Sequence, residues 1–335
     1  MIKTLEIRDF GPIERIKWNK LGPINIVIGN NATGKTFLLK ALYTIIKSVE
    51  ETGRGQSTKR MEDILSERLY WSFQAQRLGD LVRKGAGPAS LRVTGNDGSV
   101  SFQFGTTTEK KITTVENVFG KREANSVFLP SKEVLSLFHI IKKSRDTDQV
   151  FGFDDTYLDL VRAIEIEPTK GRNYEQFSHA RKNLDQALQG RVGFEGGEWV
   201  YKQVNTRFAI YTVSEGIKKI SILDRLLGNR YLSPDSLVFI DEPEAALHPK
   251  ALLQFMEILD ELSDAGIQFF LATHSYFVIK KLLLVSLERQ KSMPLLSLEA
   301  DCKVSYFDLI DGLPENPIIA ESVELYKKEV EQSFK

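Results

Sequence analysis

Lys35 and Thr36 close the run Gly29-Asn30-Asn31-Ala32-Thr33-Gly34-Lys35-Thr36, a glycine and four residues followed by Gly-Lys-Thr. That spacing is the pattern of a phosphate-binding loop. Its backbone N–H groups can close around a triphosphate, while Lys35 reaches the β- and γ-phosphates and the Thr36 hydroxyl ligates Mg²⁺. Far along the chain, Leu237-Val238-Phe239-Ile240 runs into Asp241-Glu242. A carboxylate ending a buried strand beside such a loop can hold Mg²⁺ through water, and Glu242 can polarise an attacking water. His274 ends the next apolar run, Ile267-Gln268-Phe269-Phe270-Leu271-Ala272-Thr273. An imidazole there would lie at the same sheet edge as Asp241 and meet a γ-phosphate. Ser214-Glu215-Gly216 offers a hydroxyl, a glycine N–H and the start of a helix, all suited to a phosphate. The first loop already has its own helix, so this second anion-binding terminus makes best sense serving a nucleotide on another copy.

These groups need elements to hold them. Ile24-Asn25-Ile26-Val27-Ile28 has the β-branched, apolar character of a buried parallel strand, and helical spacing runs from Thr36 to about residue 49. Ahead of it, Leu5, Ile7 and Phe10, then Ile13, Ile16 and Trp18, predict strands around a Gly11-Pro12 turn. Residues 51–59 read as a polar connection. Helical spacing over 61–82 is stopped by Gly85-Ala86-Gly87-Pro88, and 91–104 alternates around Gly95-Asn96-Asp97-Gly98 as a hairpin. Val127-Phe128-Leu129-Pro130 reads as a short buried strand, and 131–188 as mostly helical without a sustained heptad. Strands return from Arg191, broken at Gly193 and at Gly196-Gly197, before a helix beginning after Ser214. Pro249 opens a helix that runs to Gly266. Another helix follows His274, then a strand over 304–310 and a last helix from about Ala320.

Composition sets outer limits. The chain has 335 residues, 42% hydrophobic and 27% charged, ordinary globular values with room for one large or two medium domains. Lys plus Arg equals Asp plus Glu at 45 each, so net charge neither points to nor excludes nucleic acid. Residues 53–92 carry eight basic against four acidic side chains, a local patch that a solvated helical face explains at least as well. The single cysteine, Cys302, excludes an internal disulfide framework and suits a reducing cytoplasm. No signal-peptide core and no apolar run of membrane-spanning length is expected.

With those residues in place, the chain resembles the ATP-binding-cassette ATPases of the SMC/RecF/OLD type, in order and over nearly its whole length. "IKTLEIRDFGPIERI" is similar to that family's first strands and "INIVIGNNATGKTFLLKALY" to its Walker A motif. "YTVSEGIKKISIL" resembles the signature loop, "LVFIDEPEAALHP" the Walker B and D-loop segment, and "FFLATHS" the switch histidine. "ENPIIAESVELYKKE" resembles the tail of small stand-alone members often encoded in anti-phage defence systems. The resemblance implies an α/β ABC/SMC-type P-loop head with central parallel strands in a mixed sheet, an antiparallel meander and a helical insertion. Residues 1–130 and 191–335 would form two ATPase lobes around an insertion at 131–190.

It further implies ATP and Mg²⁺ as cofactors and a slow, Mg²⁺-dependent ATPase with Glu242 and His274 as catalytic residues. Two heads would close head to tail, Ser214 and Gly216 completing the partner's site, and would switch or scaffold a protein effector encoded nearby. A RecF-like DNA-binding ATPase using 53–92, and an ATP-bound scaffold with negligible turnover, are the alternatives. Departures from the family pattern are Ala32 for a common glycine, Ser-Glu-Gly-Ile in the signature, and His248 at the usual D-loop aspartate. The segment after Pro130 is the candidate glutamine loop. No second acidic cluster of the nuclease kind follows the head.

Overall fold

Apolar and charged residues alternating along the chain make β1 (Ile2–Phe10) and β2 (Ile13–Trp18) a one-sided hairpin. The computed structural model describes every residue except 56, 57, 170, 172 and 335. β3 (Ile24–Gly29) is buried at all six positions and leads through the glycine loop into α1 (Lys35–Glu51). After α2 (Met61–Phe73) come β4 (Ala89–Gly95), β5 (Gly98–Phe104), β6 (Thr114–Asn117) and the buried β7 (Ser126–Leu129). Helices α3 (Phe138–Lys142), α4 (Asp155–Glu165) and α5 (Ser178–Leu188) follow, α3 running on into one π turn at Lys143–Thr147. β8 (Arg191–Glu195), β9 (Glu198–Gln203) and β10 (Thr206–Ala209) precede α6 (Glu215–Gly228). The chain ends with β11 (Leu237–Asp241), α7 (Pro249–Asp264), β12 (Gln268–Thr273), α8 (Tyr276–Arg289), β13 (Pro294–Leu298), β14 (Val304–Asp308) and α9 (Pro317–Ser333).

Three sheets result. The central one has the order β14-β13-β3-β12-β11-β7, all parallel except β14 at one edge. A five-stranded antiparallel sheet, β2-β1-β4-β5-β6, covers one side, and a small β10-β9-β8 meander stands apart. Register then places the functional ends together. Asp241 pairs with Ala272, Thr273 with Ile28, Gly29 with Leu298 and Ile240 with Leu129, so every parallel strand delivers its carboxyl end to one edge. Such an edge is where open parallel sheets bind ligands.

Two cores hold the edge in place. One face of β3 (Ile24, Ile26, Ile28) packs with Val238, Ile240, Phe269 and Leu271 against α4 to α8. The opposite face (Val27, with Phe128, Phe239 and Phe270 stacked) lies under α1, which is itself covered by the antiparallel sheet through Leu5, Ile7 and Phe10. Helix α1 is therefore buried nearly all round and cannot tilt without disturbing this second core. The mixed α/β architecture expected from the sequence is the one observed.

Several expected boundaries differ. The helix expected over 61–82 stops at Phe73, capped by Gln74 in a left-handed conformation, φ 50°. The chain then makes only a 3-10 turn, Leu78–Leu81, because the Leu78 and Gly79 N–H groups donate to Glu109 O and Thr108 O. Val82 pairs with Phe10 as an isolated bridge. β6 and β13 were not anticipated, the first being polar and edge-lying, the second only five residues long. β8 runs unbroken through Gly193, the strand from Val304 ends at Asp308, and the last helix starts at Pro317, capped by Asn316. Of the polar connection at 51–59, residues 56 and 57 lie outside the described residues, and Glu51 still belongs to α1. Among the described residues no helix is long and apolar enough to cross a membrane.

Candidate active site

The glycine loop owes its shape to backbone geometry that side chains would obstruct. A Cβ on Gly29 (φ 152°) would stand 2.1 Å from the Leu298 carbonyl oxygen, and one on Gly34 (φ 95°) 3.0 Å from the Pro12 ring. Gly34 caps α1 without any side chain, and no acidic residue occupies the first turn, so the positive end of the helix is left open. Ala32, the departure noted in the sequence, is itself left-handed at φ 63°. Thr33 Oγ1 donates to Asn30 O at 2.9 Å, which stiffens the loop, while Asn30 and Asn31 are exposed at its tip.

Lys35 folds back across this loop. Its Nζ donates to Gly29 O at 2.8 Å and Asn30 O at 2.7 Å. Burial pulls its pKa below the ordinary lysine value, opposed by Asp241, Glu242 and Glu244. The ammonium thus has two neutral carbonyls as partners in a field set by three carboxylates. One residue on, Thr36 Oγ1 donates to the Asp241 carboxylate, 3.0 Å from each oxygen. Burial raises the Asp241 pKa, and the Thr36 hydrogen bond works against that rise.

The chain turns sharply as it leaves β11. Glu242 and Ala246 both have left-handed backbones, at φ 49° and 62°, and Glu242 N donates to Ala272 O at 2.8 Å. Two such residues in five are stored strain, held by the surrounding structure. His274 Nδ1 lies 3.4 Å from Glu242 Oε1 and 3.6 Å from Glu244 Oε1. Glu244, which motif reading passed over, accepts from Thr273 Oγ1 at 2.8 Å and from the His274 backbone N–H at 3.1 Å. Its second oxygen is buried without a partner. The only hint in the sequence is a second acid two residues after Glu242. Lys219, also missed, donates from Nζ to the Glu242 carbonyl oxygen, and burial pulls its pKa down to about 8.

Lys35, Thr36, Asp241, Glu242 and His274 are therefore brought to one edge. Ser214 and Gly216 stand at the start of α6, Gly216 against the turn that follows Glu242, and among the described residues no backbone hydrogen bond joins them to Gly29–Thr36. Ser214 caps α6 with its hydroxyl uncommitted and exposed. Gly216 is buried for another reason as well, since a Cβ there would come within 2.9 Å of Ala246 O. The candidate glutamine-loop segment leaves β7 next to Asp241, as register requires, but residues 131–137 contain no glutamine. His248 caps α7, its Nδ1 accepting from Lys250 N at 3.3 Å.

The donor set fits a phosphate-bound Mg²⁺, because a hydroxyl and a carboxylate are hard oxygen ligands and phosphates complete such a shell. Among the described residues no group of three or more His, Cys, Asp or Glu could hold a metal unaided.

The family model described as "AAA domain, putative AbiEii toxin, Type IV TA system" matches residues 122–280. Solved structures extend the likeness over the whole chain. An SMC head "bound to the C-winged helix domain of ScpA" is 15% identical, with 92% of this chain and 98% of that one aligned at a TM-score of 0.58. The SMC head "with an extended coiled coil bound to the C-terminal domain of ScpA derived from Pyrococcus furiosus" is 14% identical, covering 100% and 99%, with a TM-score of 0.52. No curated protein matches the chain. The chain therefore shares the fold of those SMC head domains.

Proposed function

We propose that this chain hydrolyses ATP with Mg²⁺, closes on a second copy around the nucleotide, and by that closure switches a partner protein. One observation carries the reading: Thr36 is bonded to both Asp241 oxygens at the sheet edge where Lys35, Glu242 and His274 also converge. In this reading the backbone N–H groups of Gly29, Asn30, Asn31, Ala32, Thr33 and Gly34 wrap phosphate oxygens. Lys35 exchanges its two carbonyl partners for the β- and γ-phosphates, a gain from neutral to charged acceptors. Thr36 and Asp241 hold Mg²⁺, which neutralises charge on the phosphates. Glu242 orients the attacking water and takes its proton, and His274, fixed by Glu244, faces the γ-phosphate. Ser214 and Gly216 approach the nucleotide held by the other copy.

The test is Glu242→Gln. That variant should bind ATP, accumulate as a dimer and lose hydrolysis by roughly 10²-fold or more, the usual worth of a general base. Wild-type turnover in the variant would show that Glu242 is not the base.

The comparisons favour a protein as the partner, since the matching family description names a toxin system and both SMC heads are bound to ScpA domains. An effector encoded nearby, as in phage defence, fits that reading. If nucleotide serves only to hold such a complex, Lys35→Ala should release the partner during co-purification rather than slow a reaction. DNA binding through residues 53–92 is the weaker alternative. Lys59, Arg60, Arg68, Arg77, Arg83 and Arg92 are all paired with carboxylates. A steep fall of DNA affinity with salt would revive it.

A further inference from the structure

Two adjacent lysines near the start of α6, Lys218 and Lys219, are buried, and the signature-like segment that contains them gives neither a role. Lys218 donates from Nζ to the Ser136 hydroxyl at 2.7 Å and lies 3.6 Å from Glu133 Oε1. Both partners sit on the loop that leaves β7 beside Asp241. Lys219 donates to the carbonyl oxygen of Glu242. Gly216, one turn earlier, brings the helix against the far end of the same turn, at Ala246 and Leu247. The first turns of α6 thus grip two separate loops of the site, with one ammonium on each.

Burying an ammonium against a neutral carbonyl is costly, and a methionine would fill the same volume without that cost. What the ammonium adds is direction. Glu242 is left-handed, a conformation that costs an L residue on the order of 1 kcal/mol or more, and a donor on its carbonyl oxygen holds that turn and hence the bearing of its carboxylate. The exposed Ser214 lies one turn away on the same rigid helix.

We infer that Lys219 and Lys218 are positioning residues that carry movement of the Ser214 loop to the Glu242 turn and to the 131–137 loop of the same chain. The tether is a property of the chain itself; only what moves it, nucleotide on a second copy, rests on the proposed function. When Ser214 is drawn to its ligand, α6 shifts as a body and both loops follow. Glu242 then takes its working bearing only when the other copy is seated.

Lys219→Met and Lys219→Arg in the full chain test this. Without nucleotide, amide hydrogen exchange over residues 242–247 should quicken about 10-fold or more in the Met variant and little in the Arg variant, which keeps a donor. In steady state the Met variant should lose about 10-fold or more in kcat with KM for ATP within about 2-fold, and Arg should restore most of it. Unchanged exchange over 242–247 in a folded Met variant overturns the inference, as does a rise in KM with kcat intact. If the wild type binds no nucleotide, the proposed function fails while the exchange arm still judges the tether. Should Lys219→Met not fold, Lys218→Met read over residues 131–137 carries the same test.

Discussion

Ala32 is where a single side chain meets the geometry of the loop most directly. At φ 63° its Cβ crowds the backbone, at a cost of about 1–2 kcal/mol that glycine would not bear. Glycine in turn gives the unfolded chain about 0.4–1 kcal/mol more freedom. Ala32→Gly should therefore be neutral to stabilising by roughly 0.5 kcal/mol, with nucleotide affinity retained, whereas β-branched Ala32→Val should destabilise by about 1 kcal/mol or more. Thermal melts of the two variants decide it, and a clear loss on Ala32→Gly would show that the alanine methyl supports the loop. Residues at this scale divide by how local their meaning is. Lys35, Thr36 and the Asp241-Glu242 pair stood out because glycine loops and strand-ending acids carry their roles in short spacings. Glu244 and Lys219 did not, because a carboxylate that orients His274 and an ammonium on a carbonyl 23 positions away become meaningful only once β12 and α6 are placed.

Among the elements, α1 does most to align the site, because its first turn carries Thr36 and its last turn must be anchored elsewhere. The anchor is Glu50, fully buried, accepting from Ser126 N at 3.1 Å and from the Ser126 hydroxyl, with Lys47 at 3.1 Å and Arg122 at 3.3 Å. Burial alone would raise its pKa, but Lys47, the Ser126 hydroxyl and Arg122 together outweigh that and hold it below the ordinary 4.5. A carboxyl whose pKa is lower folded than unfolded stabilises the fold above its unfolded pKa and loses that contribution as pH falls through the folded value. Glu50→Gln should thus cost about 3 kcal/mol at pH 7, leaving Lys47 and Arg122 without their shared charge. Urea titrations should show that gap narrowing below about pH 4.5, and an equal gap at pH 7 and pH 4 would assign the loss to packing. Element recognition from sequence succeeded where periodicity was long, as in α1 and α7. It failed at β13, where a five-residue strand takes its identity from pairing with β3, and at the end of α2, where Gln74 and the Thr108 and Glu109 carbonyls override helical spacing.

For the whole molecule, the question is whether one chain holds a complete site. Its phosphate loop, acids and histidine share an edge, yet among the described residues the exposed Ser214 hydroxyl makes no hydrogen bond to cap its helix and none joins it to them. A two-fold interface in which each copy lends Ser214 to the other satisfies both facts, because an isologous contact uses the same two surfaces twice. Mixing variants tests this without any partner protein. Lys35→Ala has a crippled loop but an intact Ser214; Ser214→Arg has an intact loop but places a long cation where the neighbour's nucleotide would lie. Each alone should be nearly inactive, and Ser214→Arg should still bind ATP as a monomer. In an equal mixture about half of the dimers pair the two variants, and each such dimer has one intact loop facing one intact serine. If sites fire independently, roughly a quarter of wild-type turnover should return. Full activity of Ser214→Arg alone would mean that each head works by itself. A mixture no more active than its separate components would likewise reject a site shared between copies and completed one at a time.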